Sequence, residues 1–189
     1  TLSLPKRATA DTGIDALTHA MEAYVSKKAN AYSDTQAIEA MRLIGPNLRR
    51  VYHNGNDLEA REKMMLGATL AGIAFSNASV ALVHGMSRPI GAIYHVPHGL
   101  SNAMLLPAVT EYSIPAAKKR YADCARAIGV SMSGDTDDVA NKKLLSELIA
   151  INKELNVPSP SEFGIDKTDF MQNLEVMAEQ AIASGSPGN

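Results

Sequence analysis

The stretch DALTHAMEAY, near the start of the chain, places a carboxylate and an imidazole four residues apart, at Asp15 and His19. Residues at this spacing lie on the same face of an α-helix, about 6 Å apart, so these two side chains could bind one ion or each other. Taken alone, such a pair is more often a surface ion pair than a pair of metal ligands. The pair is therefore a first candidate that needs further ligands.

A second stretch, HGMSRPIGAIYHVPHG, carries three of the five histidines. His84 lies in an apolar helical pattern, where an imidazole without a partner is costly to bury. His98 lies between Pro97 and Gly99, which predicts a chain reversal at Val96-Pro97 and a new helix after it. In one straight helix His84 and His98 would be about 21 Å apart, so they can share an ion only if the chain folds back.

Together, Asp15, His19, His84 and His98 would form a site with one oxygen and three nitrogen ligands. This donor set suits Fe(II), Zn(II) or a related divalent ion, and it lacks the thiolates of a typical structural zinc site. In the alternative interpretation, His84 is a core histidine and His98 caps a helix. The residues alone leave both interpretations open.

The elements that must position these residues are predicted to be helices. Apolar residues recur at helical spacing almost throughout the chain, and strand-like alternation is nearly absent. The first helix is expected to be capped by Asp11 or Thr12, and the second to be kinked at Pro46. The pattern predicts an all-α bundle with helices over residues 12–25, 34–51, 58–75, 76–95, 98–112, 115–128, 137–155 and 167–183.

Composition and charge exclude several classes of protein. A chain of 189 residues with 46% hydrophobic residues suits one domain with a real core. The net charge of -2 and the absence of a long basic run argue against a nucleic-acid partner. No apolar run reaches the roughly 20 residues of a membrane helix. The single cysteine, Cys124, fits a reducing compartment and so a cytoplasmic protein, and its helical apolar setting favours a core residue over a nucleophile.

Nucleotide-binding motifs are also absent from the sequence. It contains no GxGxxG after a strand and no Walker loop, so a nucleotide site is not expected within this chain. The chain starts abruptly at TLSLPKRA and stops in ASGSPGN, which suggests a fragment of a longer protein.

The runs ATADTGIDALTHAMEAYVS and GIAFSNASVALVHGMSRPIGAIYHVPHGLSNAMLLP resemble the iron-containing (group III) alcohol dehydrogenases. The resemblance implies a subunit of the dehydroquinate synthase-like type, in which a dinucleotide-binding α/β domain precedes an all-helical, metal-binding domain. Residues 1–189 are then expected to be the second domain alone, which would explain the missing glycine-rich loop.

The resemblance also implies roles for individual residues. The metal ligands of the family fall on the four residues of the candidate site, with no further catalytic residue. Phe75 falls where the family lines its substrate pocket. Arg88 departs from the pattern, because many members carry a histidine there, close to the nicotinamide. An arginine stays charged, so it could hold an acidic substrate or a cofactor phosphate instead. His95 is a candidate for the lip of the site, with a plain surface position as its alternative.

The implied activity is hydride transfer between a small alcohol or aldehyde and NAD or NADP. Fe²⁺, with Zn²⁺ as the alternative, would polarise the alcohol or carbonyl oxygen, and the enzyme would be a homodimer or a larger homo-oligomer. Three alternatives remain: a zinc enzyme similar to glycerol dehydrogenase or dehydroquinate synthase, a helical metal-dependent hydrolase, and a non-catalytic helical interaction module. The strings LVHGM and VPHGLSNAMLLP fit the alcohol dehydrogenase branch better than the zinc branch.

Overall fold

The structure is a computed structural model, and it describes residues 1–186. Those residues form nine α-helices and one 3₁₀ turn, with no strand among them, so the predicted all-α class is confirmed. The helices are α1 (Lys6–Val25), α2 (Ala31–His53), α3 (Leu58–Asn77), α4 (Leu82–Tyr94), α5 (His98–Ser113), α6 (Lys118–Ile128), α7 (Asp137–Glu154), α8 (Pro160–Phe163) and α9 (Lys167–Ala183), and the 3₁₀ turn is Ile114–Ala116.

Helix α1 lies at the centre of the bundle and packs against α2, α3, α4, α5 and α6. Its sequence carries small or apolar residues on nearly every side, as expected of a helix surrounded by other helices. Ile14, Leu17 and Met21 are almost completely buried. Each such side chain contributes about 1.5–3 kcal/mol through removal of apolar surface from water. The residues of α1 that carry candidate chemistry are therefore held on a rigid, central element.

The first helix begins earlier than the sequence predicts. It starts at Lys6, directly after Pro5, and the expected cap at Asp11 or Thr12 is wrong. Asp11 instead pairs with Arg7 one turn earlier, with 2.6 Å between Nη2 and Oδ1. This extra turn lacks an apolar stripe, because its buried positions are filled by small or polar residues such as Thr9.

Other boundaries also differ from the prediction. Helix α2 extends past the expected range 34–51 at both ends, to Ala31 and His53, and Pro46 lies within it. The single helix expected over residues 76–95 is divided: its first two residues end α3, and α4 begins only at Leu82. The helix expected from residue 115 begins at Lys118, after the 3₁₀ turn. The segment between the helices expected over 137–155 and 167–183 contains the single turn of α8.

The predicted chain reversal between α4 and α5 is confirmed. His95 follows the last residue of α4 and adopts the left-handed conformation with φ of 55°, and Pro97 precedes the first residue of α5, His98. At Gly99 a Cβ atom would lie 2.5 Å from the carbonyl oxygen of Asp11. Only glycine therefore lets the start of α5 approach α1 this closely, and this contact places His98 beside the α1 residues of the candidate site.

Cys124 is fully buried in α6, and burial raises the pKa of its thiol, as expected of a core residue. Among residues 1–186, no single helix has the length and apolar composition needed to cross a membrane. Helices α3 and α4 satisfy that test only as a pair, and they are bent by 101° at the break between them.

Candidate metal centre

Helix α1 contributes Asp15 and His19 to the site, one turn apart. The His19 ring nitrogen Nδ1 lies 2.9 Å from the backbone carbonyl oxygen of Asp15, so Nδ1–H donates to it and Nε2 keeps its lone pair. Burial lowers the pKa of His19, and the neighbouring His84 lowers it further. The ring is therefore neutral near pH 7, which is the form that binds a metal ion.

Helices α4 and α5 bring His84 and His98 to the same place. Nε2 of His84 lies 3.4 Å, and Nε2 of His98 3.6 Å, from Oδ1 of Asp15. The ring centroids of His84 and His98 are 5.2 Å apart, and those of His19 and His84 are 4.2 Å apart. Asp15, His19 and His84 each offer one ligand atom, and these three atoms all lie within 4.8 Å of one another. The fold thus brings together all four residues that the sequence singled out.

These separations match the geometry of a small divalent ion. Four ligands at about 2.1 Å in a tetrahedron are separated from one another by about 3.4 Å. The distances from Asp15 Oδ1 to the two Nε2 atoms are close to this value. A carboxylate oxygen with three imidazole nitrogens also has the donor chemistry that Fe(II) and Zn(II) accept. The residues present therefore fit such an ion.

Asn102, one turn after His98 on α5, was not singled out from the sequence. Its Nδ2 lies 2.6 Å from Asp15 Oδ1 and 3.1 and 3.2 Å from Nε2 of His84 and His98. Its buried Oδ1 has no hydrogen-bond partner among the described residues. One amide group thus faces a carboxylate oxygen and two imidazole nitrogens, an arrangement that a cation would satisfy better. The spacing of four residues from His98 is the signal that could have found it.

Glu22 is the second residue that sequence reasoning missed. It is 3% exposed, and its carboxylate accepts hydrogen bonds from His84 Nδ1 at 2.5 Å and from the backbone N–H groups of Val83 at 2.6 Å and His84 at 3.3 Å. Because His84 donates through Nδ1, its Nε2 faces the cluster as the ligand atom. Glu22 follows Asp15 by seven residues and His19 by three, so helical spacing alone could have placed it on the same face.

The charges of this group are coupled. Burial lowers the pKa of His84, but the hydrogen bonds to Asp15 and Glu22 outweigh it and raise the pKa to about 9. For Asp15, burial raises the pKa, and the hydrogen bond with His84 and the charges of His19 and His98 outweigh it and lower the pKa. In the absence of metal, a protonated His84 therefore offsets part of the negative charge of two carboxylates, and a metal ion would replace its Nε2 proton.

The three histidines open onto a cleft of about 620 Å³. Phe75 lines this cleft, and its ring lies 4.4 Å from the His19 ring, centroid to centroid. Arg88 also lines it and donates from Nη1 to the Ser186 hydroxyl at 2.8 Å. His95 is exposed at the end of α4 and is not among the described residues that line the cleft.

The chain is similar to known proteins over nearly its whole length. The sequence profile of the "Fe-containing alcohol dehydrogenase family, C-terminal" matches residues 9–189. The chain is 39% identical over 183 residues to 1,3-propanediol dehydrogenase of Klebsiella pneumoniae, a match that covers 96% of this chain and 46% of that protein. It is 44% identical over 183 residues to long-chain-alcohol dehydrogenase 1 of Geobacillus thermodenitrificans, with 96% of this chain and 45% of that protein covered.

The fold agrees as well. The crystal structure of a 1,3-propanediol oxidoreductase matches with a TM-score of 0.91 at 39% identity, over 98% of this chain and 48% of that one. The chain thus spans about half the length of the relatives it matches. On the profile match and the shared fold, the chain belongs to the Fe-containing alcohol dehydrogenase family.

Proposed function

We propose that this chain is the metal- and substrate-binding domain of an NAD(P)-dependent alcohol dehydrogenase that interconverts a small alcohol and its aldehyde. The observation that carries the proposal is that Nε2 of His84 on α4 and Nε2 of His98 on α5 both lie within 3.6 Å of Oδ1 of Asp15 on α1. Membership of the family supports the same activity.

In this proposal each residue has a defined task. Asp15, His19, His84 and His98 hold the ion, which is Fe²⁺, with Zn²⁺ as the alternative. When bound, the ion supplies Lewis-acid polarisation of the alcohol or carbonyl oxygen. Asp15 offsets part of the positive charge. Phe75 covers one side of the cleft with an apolar ring beside His19, which excludes water from the place where the substrate carbon lies.

The dinucleotide-binding domain is proposed to lie outside residues 1–189. The relatives are about twice as long as the region they share with this chain, which supports that division. NAD or NADP would then be held mainly by the other domain, and the isolated chain is expected to have no dehydrogenase activity. We further expect a homodimer or larger homo-oligomer in the cytoplasm, without a nucleic-acid or membrane partner.

Family membership favours this proposal over the other functions considered from the sequence. A helical hydrolase would use the same four ligands for a metal-bound water, but the matching profile is that of a dehydrogenase family. An interaction module would leave Asp15 and His19 as a surface pair, whereas the side chains of the two residues are only 21% and 18% exposed. A zinc enzyme similar to glycerol dehydrogenase differs from the proposal in the ion.

The test is the metal content of the chain after anaerobic reconstitution with ferrous iron, measured by mass spectrometry. We expect about one ion per chain in the wild type and a loss of the ion in the His84→Ala His98→Ala double variant. A His53→Ala variant is the matched control, because His53 is exposed on α2 and pairs with Glu154. Equal and negligible metal in all three proteins would contradict the proposal.

The activity is tested on the full-length enzyme that contains this domain. The expected result is reduction of butanal with NADH or NADPH by the wild type and by His53→Ala, and no reduction by the double variant. An enzyme that binds the ion at this site but transfers no hydride would refute the dehydrogenase assignment while leaving the metal site in place.

A further inference from the structure

The cleft that contains the histidine cluster also contains two positive side chains that no carboxylate balances. Arg88 of α4 and Lys28 of the loop between α1 and α2 line the cleft together with the histidines. Within residues 1–186, neither forms an ion pair, and the only hydrogen bond from the Arg88 guanidinium goes to the Ser186 hydroxyl. No aspartate or glutamate is among the described residues that line the cleft.

This absence of a partner is unusual for this protein. Six of the eight arginines form an ion pair with an aspartate or glutamate: Arg7, Arg42, Arg49, Arg50, Arg120 and Arg126. Arg61 is 6% exposed and donates to the backbone carbonyl of Gly55 and the hydroxyl of Thr9. Among the arginines of residues 1–186, Arg88 therefore differs from the rest. It lines an open cleft, and its guanidinium group donates to neither a carboxylate nor a backbone carbonyl.

The Arg88 side chain is nevertheless held in place. Its Nη1 donates to Ser186 Oγ at 2.8 Å, and Ser186 is 4% exposed. The backbone N–H of Ser186 in turn donates to Ser184 Oγ at 3.2 Å, which fixes the segment after α9. A guanidinium group has five N–H donors, and this arrangement uses one of them. The remaining donors stay free for a carboxylate, which arginine can bind with two parallel hydrogen bonds.

Arg88 also lies on the same helix as His84, about one turn away. It follows His84 by four residues on α4, so the two side chains leave the same face of the helix about 6 Å apart. A short molecule with an oxygen at the cluster can therefore extend toward Arg88. Lys28 adds a second positive charge to the same cleft.

We propose that Arg88, assisted by Lys28, forms an anion subsite that selects substrates carrying a carboxylate at the end remote from the reacting carbon. The substrate is then a short hydroxy acid and the corresponding oxo acid. This inference rests on the proposed function, because it takes the histidine cluster as the place where the reacting oxygen binds. Arg88 is the specificity-determining residue, and its contact with Ser186 keeps the guanidinium oriented before the substrate arrives.

A binding experiment tests the subsite without catalysis. The probes are 4-hydroxybutanoate and its uncharged counterpart 1,4-butanediol, titrated calorimetrically into the metal-reconstituted chain. We expect Arg88→Gln to weaken binding of 4-hydroxybutanoate by about tenfold or more, as the loss of a hydrogen-bonded charge requires, and to leave binding of butanediol unchanged. Arg42→Gln is the matched control, because Arg42 is exposed on α2 and pairs only loosely with Glu39 at 3.6 Å.

A kinetic experiment on the full-length enzyme separates the substrate from the cofactor as the source of the anion. The expected result for Arg88→Gln is a higher KM for succinic semialdehyde, with the KM values for butanal and for the dinucleotide unchanged. If the KM for the dinucleotide rises instead, with both aldehydes, then Arg88 binds a cofactor phosphate and the proposal is overturned.

The two proposals can fail separately. Wild-type chain that binds 4-hydroxybutanoate no better than butanediol, or an Arg88→Gln chain that binds it as well as the wild type, would refute the anion subsite even if butanal is reduced. Conversely, Arg88-dependent binding of 4-hydroxybutanoate in an enzyme that reduces neither aldehyde would support the subsite and refute the dehydrogenase activity.

Discussion

His84 lies between two carboxylates, and this position explains why a buried imidazole is tolerated in an apolar helix. Glu22 accepts a hydrogen bond from its Nδ1 at 2.5 Å, and Asp15 faces its Nε2 at 3.4 Å. The Glu22 contact decides which ring nitrogen faces the cluster. Glu22 is therefore inferred to act on the ion through His84, without touching it.

Replacement of Glu22 by glutamine should weaken metal binding by about 10–100-fold, because the amide no longer holds the His84 Nδ1–H as a charged acceptor does. The side chain keeps its size, so the helical content should not change. The measurement is a titration of the chain with Zn²⁺ in the presence of a competing chelator, together with circular dichroism.

Glu39→Gln is the control for that experiment, because the Glu39 side chain on α2 is 50% exposed and its loose pair with Arg42 lies away from the cleft. Its metal affinity should equal that of the wild type. If the Glu22→Gln variant binds Zn²⁺ as tightly as the wild type and the Glu39→Gln variant, then His84 does not need the buried carboxylate, and the positioning role of Glu22 is wrong.

The same contacts make the metal-free chain sensitive to pH. The pKa of His84 is raised from 6.5 to about 9, so its protonated form is favoured in the folded state. The contribution of this group to stability is fully present below pH 6.5 and is lost as the pH rises through 9. We expect the free energy of unfolding of the metal-free chain to fall by about 3 kcal/mol over that range.

Urea unfolding at pH 6.5 and at pH 9 measures this change, with His84→Gln as the comparison. The variant should be less stable at the lower pH and should show a smaller decrease with pH. If the free energy of unfolding of the wild type and of the variant changes equally with pH, the change is due to groups other than His84.

At the scale of the elements, the contact of α5 with α1 depends on Gly99. A Cβ atom there would lie 2.5 Å from the carbonyl oxygen of Asp11 and 2.8 Å from its carbonyl carbon, both of which are backbone atoms that cannot move aside. Gly99→Ala should therefore destabilise the chain by about 1–3 kcal/mol and displace the adjacent His98. Urea unfolding and Zn²⁺ titration should show lower stability and weaker metal binding together.

Gly72→Ala is the matched control in α3, because a Cβ atom at Gly72 meets nothing within 4 Å. Alanine is a better helix former than glycine, so this variant should be as stable as the wild type or up to about 1 kcal/mol more stable. Gly99→Ala with unchanged stability and metal affinity would show that α5 can shift without effect on the site.

For the whole molecule, an ion bound at this cluster would connect three helices that are distant in sequence. A ligand that binds only the folded state stabilises it by about 4 kcal/mol when its concentration is 1,000 times Kd. We expect a higher Tm with Zn²⁺ or Fe²⁺, reversal of the increase by a chelator, and no increase in the His84→Ala His98→Ala variant. If neither metal nor chelator changes the Tm of the wild type, the cluster is not a metal site.

The helical class and most helix positions could be predicted because they depend on local periodicity. The pattern of apolar residues predicted α9 at its observed bounds and α7 within one residue. It failed at the start of α1, where Thr9, Ala10 and Asp11 are buried and Arg7 donates a hydrogen bond to the distant backbone carbonyl of Leu155. Periodicity within a short window carries no information about such contacts.

By itself the sequence determined which residues could bind a metal, because the spacing of Asp15 and His19 and the break before His98 are local properties. Only the tertiary structure decided that these side chains meet, that Glu22 and Asn102 join them, and that Arg88 shares their cleft without a carboxylate partner. The physical reason is that burial and hydrogen bonding between α1, α4 and α5 depend on how the helices pack, and that packing joins residues up to 87 positions apart.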